Sequence, residues 1–310
     1  MNRYFIVSID TEADSSDHWL MRWPFQTKGV TIGVKERLTP LFQKYGVRPT
    51  YLLAHEILED DNAMNVLLNT PDCELGTHLH WHDPKRFPYH DKMHRYFVQC
   101  HFSYDEEYEQ MKYLTDLFWK KTGYSPLSFR AGRFGAGPNT GKILMDLGYK
   151  TDSSVTPHIK HVYPDAGSIA DYTNSPEFPY RIQKDGDLFV PGDGSLWEIP
   201  VSIRMRKRYW DPFGLLSKKI LFWFRPRYAE NWQLLHFLLF AKKNGVINLM
   251  FHNVEVLPGL SPYTKSEEDV KRYLGTLSLI FSAARLLGYQ FVTMSEYTEI
   301  LHKEEMKKKK

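Results

Sequence analysis

Apolar and polar positions along the chain follow two rhythms. Short β-rich apolar runs, Arg3 to Ile9, Pro49 to Leu53, Glu74 to His78, Ser128 to Arg130, Val246 to His252 and Gln290 to Thr293, read as strands. Between them lie segments of helical period. Val34 to Tyr45 puts Leu38, Leu41 and Phe42 on one face and closes at Gly46, and Tyr104 to Thr122 is a long amphipathic segment ended by Gly123. Thr140 to Leu147 stops at Gly148, and Ser266, heading Ser-Glu-Glu-Asp, caps a helix through Leu287. Strands alternating with helices predict an α/β fold around a mostly parallel sheet. From Thr156 to about Trp232 the rhythm fails in a stretch rich in Pro, Gly, Asp and Tyr, which predicts a long irregular insertion.

Composition narrows the class without changing it. With 310 residues, 42% hydrophobic, 25% charged and 15% aromatic, the chain is globular and aromatic-rich, which excludes disordered, collagen-like and coiled-coil classes. The length suits one barrel domain over residues 1–302, followed by a charged tail at 303–310. No apolar run reaches the roughly 20 residues of a membrane span, and no basic segment with an apolar signal core follows Met1, so a cytoplasmic location is expected. Cys73 and Cys100 supply neither a disulfide framework nor a thiolate metal site.

The formal charge of +3 falls to −1 without the four terminal lysines Lys307 to Lys310, so no nucleic-acid partner is expected of the whole molecule. Locally the balance differs. Between Ile203 and Ala229, Arg204, Arg206, Lys207, Arg208, Lys218, Lys219, Arg225 and Arg227 face Asp211 alone. Interleaved with Tyr209, Trp210, Trp223 and Phe224, this stretch suits a solvated barrel edge, local nucleic-acid contact by charge and stacking, or peripheral contact with the inner face of a membrane through Leu215, Leu216 and Ile220.

The strongest chemical signal is Gly76-Thr-His78-Leu-His80-Trp-His82-Asp83, three of the chain's 13 histidines at two-residue spacing directly after a strand. Imidazole nitrogen is a preferred ligand for zinc and related divalent ions, and spacings of two or four can bring rings to one side of the chain. A hydrolytic metal commonly keeps three protein ligands, so a carboxylate should join two histidines. Asp10, Glu12 and Asp14 follow the first strand, and alternation puts Asp10 and Glu12 on one side, while Asp14 also suits a loop acid that caps the next element.

These motifs resemble, in order and over nearly the whole chain, the polysaccharide deacetylases of the NodB-homology superfamily, carbohydrate esterase family four. Ser8-Ile9-Asp10-Thr11-Glu12 is similar to the family's acidic first motif, and Gly76-Thr77-His78 to His82 to its His-x-x-x-His. Phe129-Arg130-Ala-Gly-Arg133-Phe-Gly135 resembles its arginine-led loop, Trp197-Glu198-Ile199-Pro200 its Glu-Ile-Pro strand, and Leu249-Met250-Phe251-His252 its histidine-ended strand. The resemblance implies a distorted (β/α) barrel with the site at the C-terminal strand ends. It implies Asp10 as general base, His252 as general acid, Arg130 as the group that orients Asp10, and His78 and His82 as metal ligands. The implied cofactor is one divalent ion, zinc first, with nickel, cobalt or manganese as alternatives. The implied partner is a carbohydrate from which an N-acetyl group is hydrolysed, in surface-polysaccharide or lipid-linked glycan metabolism.

Departures from the family pattern set the open points. Thr11 stands where the family has its metal-binding Asp, so Glu12 becomes the expected substitute ligand. His80 is left between substrate contact, a third nitrogen ligand and packing, and Arg133, Asp152 and Trp197 are weaker substrate-binding candidates. Two other functions stay in view, hydrolysis of a small-molecule amide on the same scaffold and a metal-free carbohydrate-binding barrel. Gly135-Ala-Gly137-Pro-Asn-Thr-Gly141 is one residue too long for a dinucleotide fingerprint and contains Pro138, and there is no Gly-x-Ser-x-Gly elbow or Walker lysine.

Overall fold

A computed structural model describes residues 2–16, 18–19, 24–80, 98–164, 167–206, 219–241 and 245–308. The first half of the chain runs β1 (Arg3–Thr11), a π-helical segment (Gly29–Leu38), α1 (Thr39–Tyr45), β2 (Pro49–Leu53), α2 (His55–Glu59), α3 (Asp61–Leu68), β3 (Glu74–Leu79), α4 (Tyr104–Thr122), β4 (Ser128–Ala131), α5 (Thr140–Asp146) and β5 (Thr151–Asp152). There follow β6 (Lys160–Tyr163), β7 (Ser168–Asp171), β8 (Tyr180–Arg181), β9 (Trp197–Glu198), β10 (Ile203–Arg206), β11 (Ile220–Trp223), α6 (Asn231–Phe240), β12 (Val246–His252), α7 (Glu267–Leu286), β13 (Tyr289–Phe291) and α8 (Met294–Lys308).

Among the described residues the main sheet runs in the order β12, β1, β2, β3, β4, β5, β9, β8, with β13 added to β1. All its pairings are parallel except β8 with β9. Tyr4 and Phe5 pair with both β12 and β13, so β13 shares with β2 the edge of β1 opposite β12. The curl from β12 round to the segment after β9 is closed at Asn248 rather than by a ladder: Ser202 N–H donates to Asn248 O at 3.0 Å, Asn248 N–H donates to Ser202 Oγ at 2.9 Å, and Asn248 Nδ2 donates to the Ile199 carbonyl at 3.1 Å.

Period-two alternation divides β1 between two environments. Phe5, Val7 and Ile9 face the helices, in one cluster with Val34, Leu38, Phe281 and Leu277. Tyr4 and Ile6 face inward, where Leu52, Ile199, Val246, Met294 and Tyr297 plug the lower end of the barrel. Above the plug the interior turns polar. Ser8 Oγ donates to Asn248 Oδ1 at 2.8 Å, and Asn248 Nδ2 donates to Ser153 Oγ at 2.9 Å. The next inward position on β1 is Asp10, beside His252 of β12 in the parallel register.

The stretch from Thr156 to Trp232 forms two antiparallel hairpins, β6–β7 and β10–β11, around β8 and β9, which pair in the main sheet. The charged segment expected as a tail after residue 302 is instead helical through Lys308. Its Lys and Glu residues are good helix formers, and Lys303 reaches Glu299 one turn back at 3.7 Å. Among the described residues no helix is long and apolar enough to cross a membrane. The membrane-facing reading rests partly on Lys207, Arg208, Tyr209, Trp210, Leu215, Leu216 and Lys218, which lie outside the described residues.

Candidate active site

The site sits where β1, β3, β4 and β12 end. Arg130, on β4, is fully buried and spends its guanidinium on fixed partners. Its Nη1 donates to Asp10 Oδ1 at 2.5 Å, Nη2 to Ser8 Oγ at 2.7 Å and Ser153 Oγ at 2.9 Å, and Nε to the Ser153 carbonyl at 2.8 Å. Asp10 is thereby held by one oxygen. The other, Oδ2, lies 3.9 Å from both His78 Nε2 and His252 Nε2, too far for a direct hydrogen bond and suited to an intervening water or substrate atom. Burial favours the protonated acid at Asp10, but Arg130, aided by His78 and His252, outweighs it and lowers the pKa.

Glu12 follows β1 and its Oε1 lies 3.0 Å from His78 Nε2 and 3.0 Å from His80 Nε2, while the two nitrogens are 2.9 Å apart. Three ligand atoms thus converge on one point. Burial raises the pKa of Glu12, yet His80 and His78 more than offset it and hold the carboxyl well below its ordinary range. The His78 ring is oriented from behind, since its Nδ1–H donates to the Arg130 carbonyl at 2.9 Å. That bond leaves the Nε2 lone pair facing a carboxylate and a second imidazole. A cation is the group such a donor set accommodates, and a backbone carbonyl behind a histidine is the usual support of a metal ligand.

Two features of the sequence build this cluster. Thr11 turns its hydroxyl away to its own strand, to the Ile9 carbonyl at 3.0 Å, while the next residue, Glu12, enters the site. Gly132, just after β4, lies against His80: a Cβ there would stand 2.4 Å from the Leu79 carbonyl oxygen and 3.0 Å from two carbons of the His80 ring. Only glycine leaves room for the imidazole in this place.

His252 is oriented by a separate set. Its Nδ1–H donates to Glu255 Oε1 at 2.8 Å, so Nε2 faces Asp10 and, at 3.8 Å, Glu12. Glu255 is fully buried, paired with Arg225 and bonded by the Tyr273 hydroxyl at 2.6 Å. Burial pushes its carboxyl up, but Arg225 and His252 pull it down to about 2.

The remaining expected residues separate. Asp14 accepts from the amides of Lys28 at 3.0 Å and Gly29 at 2.8 Å, so it caps the π-helical segment and faces away from the histidines. Asp152 lies inside the barrel with no exposure, bonded by Ser154 and beside Glu198 in the sheet register. Trp197 points outward to His302 of α8, with centroids 5.8 Å apart, because its neighbour Glu198 takes the inward position of that two-residue strand. These two placements depart from the expected substrate contacts. Arg133 is exposed beside the mouth, in a left-handed conformation with φ 56° and its guanidinium over Tyr163. His82 lies outside the described residues.

Sequence reasoning left Asn253 and Glu255 without roles and did not single out Arg225 in the site. The first two were visible as polar residues directly after the His252 strand. Arg225 carried no local signal, because its partner stands 30 residues later.

No family model and no curated protein matches the chain. Solved structures do. A Parabacteroides distasonis protein described as a glycoside hydrolase/deacetylase superposes with TM-score 0.64 at 13% identity, covering 97% of this chain and 71% of that one. A Mycobacterium smegmatis protein described as a polysaccharide deacetylase gives TM-score 0.58 at 16% identity over 98% and 91% of the two chains. An allantoinase gives 0.56 at 14% identity over 97% and 90%. The chain therefore has the distorted (β/α) barrel fold of the NodB-type deacetylases.

Proposed function

We propose that this protein is a divalent-metal-dependent hydrolase that removes acetyl groups from an N-acetylated sugar. The observation that carries the reading is the His78 ring, whose Nδ1–H is taken by the Arg130 carbonyl while Nε2 meets Glu12 Oε1 and His80 Nε2 at 3.0 and 2.9 Å. Glu12, His78 and His80 are the residues that would hold the ion. When bound, it would polarise the amide carbonyl and offset negative charge developing on its oxygen.

The chain's own groups supply the proton transfers. Asp10, kept ionised by Arg130, presents Oδ2 as the base that takes a proton from water as it attacks the acetamide carbonyl. His252, opposite it, gives a proton from Nε2 to the departing amine, and Glu255 on Nδ1 fixes the orientation of the ring. Acetate and a free amino sugar are the products. The position of Glu12 beside His78 and His80 supports this reading over a metal-free barrel that binds sugar alone, the alternative that Thr11 raises.

Acetate release from N-acetylated oligosaccharides, lost with a chelator and in Asp10→Asn, tests the assignment. Release that withstands both changes would overturn it. Hydrolysis of small amides such as allantoin in place of the sugar would keep the chemistry and replace the substrate.

A further inference from the structure

An aromatic track leaves the site on the side of His252. Trp19 tilts over the His252 ring with centroids 4.7 Å apart and meets Tyr263 edge-on at 5.5 Å. Tyr263 meets Tyr228 at 6.4 Å, and their hydroxyls are 3.1 Å apart. Trp19 takes φ 58°, a left-handed conformation that costs about 1 kcal/mol or more for a residue with a Cβ, and is 37% exposed. A strained backbone that presents a large ring to solvent beside a catalytic group is a device for contacting a ligand.

Beyond Tyr228 the track opens into a groove of about 770 Å³ lined by Arg227, Tyr228 and Trp232, a volume within the range of small-ligand sites. Trp232 is 54% exposed, and Tyr228, though stacked on Trp223 with centroids 5.1 Å apart, keeps 52% of its surface open to the groove. The groove is lined by Arg227, Arg272 and Glu230, and of its two cations only Arg272 is in an ion pair among the described residues. Arg225 is engaged by Glu255 and Arg272 by Asp269, and the Glu230 carboxylate caps α6. Arg227 lies with its guanidinium 5.3 Å from the Tyr263 ring centre, and among the described residues no carboxylate pairs with it. A cation fixed over an aromatic face at the end of a path from the reacting centre suits an oxyanion on the substrate.

We infer, on the reading of the site as a sugar deacetylase, that the acetylated sugar is joined to an anionic unit. Arg227 holds the carboxylate or phosphate of that unit, and Tyr228 and Trp232 take the face of the ring that bears it. The aromatic and basic residues between Trp223 and Trp232 thereby serve substrate selection.

Calorimetric binding to the Asp10→Asn protein tests this apart from turnover. The probes are neutral chitotetraose, a hyaluronan tetrasaccharide with sugar carboxylates, and UDP-N-acetylglucosamine with a diphosphate. At low salt one anionic probe should bind about tenfold tighter than chitotetraose, as one charge-assisted contact provides. Which one does so identifies the oxyanion. Arg227→Gln, an exposed change, should remove that advantage and leave chitotetraose binding unchanged, and Tyr228→Ala should weaken the anionic probe as well. The same comparison of probe affinities in the parent protein at 4 °C, with Arg227→Gln beside it, serves if Asp10→Asn does not fold. Anionic probes that bind no tighter than chitotetraose, or an advantage that survives Arg227→Gln, would overturn the inference. Acetate release from neutral and anionic substrates alike would then leave the deacetylase reading standing, whereas selective anionic binding without acetate release from any probe would remove that reading and keep the track.

Discussion

The side-chain amide of Asn253 pairs with both backbone polar groups of Glu12. Its Oδ1 accepts from Glu12 N–H at 3.0 Å and its Nδ2 donates to the Glu12 carbonyl at 3.0 Å. One residue after the proposed acid on β12 thus fixes the backbone of the proposed ligand after β1. Asn253→Ala should lower metal affinity about 10- to 100-fold, as loss of a group that orients a ligand does, while circular dichroism stays native. Competition with a chromophoric chelator measures this, and an unchanged affinity would show that the clamp does not set the Glu12 position.

Gly132→Ala places a methyl group against the Leu79 carbonyl and the His80 ring. The variant should lose about 1–3 kcal/mol of stability through overpacking and lose metal by displacement of His80. Denaturation and metal content are measured together. A destabilised variant with full metal would separate His80 from the ion.

Arg130→Gln removes the cation that holds the Asp10 carboxyl down. The acid-side limb of kcat/KM should then move to higher pH. An unmoved limb would take Asp10 out of the role of base.

Glu107 on α4 gives a pH prediction away from the site. It is fully buried, accepts from Gln99 Nε2 at 2.8 Å and Thr140 Oγ1 at 2.5 Å, and burial pushes its carboxyl up to about 7. An acid raised on folding binds its proton more tightly in the native state, so ionising it costs stability as pH rises from about 4.5 to 7, and no further above that. The full cost is about 3 kcal/mol. Glu107→Gln, which keeps an oxygen for both donors, should match the parent near pH 4 and exceed it at pH 8. Equal denaturation midpoints at both pH values would contradict the burial argument.

Where structure is specified locally, it was legible in the chain. Pro49–Leu53, Tyr104–Thr122 and Val246–His252 have the bounds that their patterns predict, because each pairs a clear period with a capping or breaking residue. The strands β5 and β9 have two residues each and no period to read, and α6 (Asn-Trp-Gln-Leu-Leu-His-Phe-Leu-Leu-Phe) is too uniformly apolar to show a face. Asp10, Glu12, His78 and His252 were visible because each ends an apolar strand. The spacing of His78 and His80 already allowed both rings on one side, but the room for the His80 ring depends on Gly132, more than 50 residues away. Arg225 and Tyr273 meet at Glu255 only through tertiary packing, which no local pattern records.

Glu12, His78 and His80 are proposed to hold one divalent ion. Elemental analysis of the tag-free protein beside His80→Ala, after incubation with zinc, tests it most directly. Close to one metal per chain is expected in the parent and a small fraction of that in a natively folded His80→Ala protein. Full occupancy in His80→Ala, or none in the parent, would contradict it.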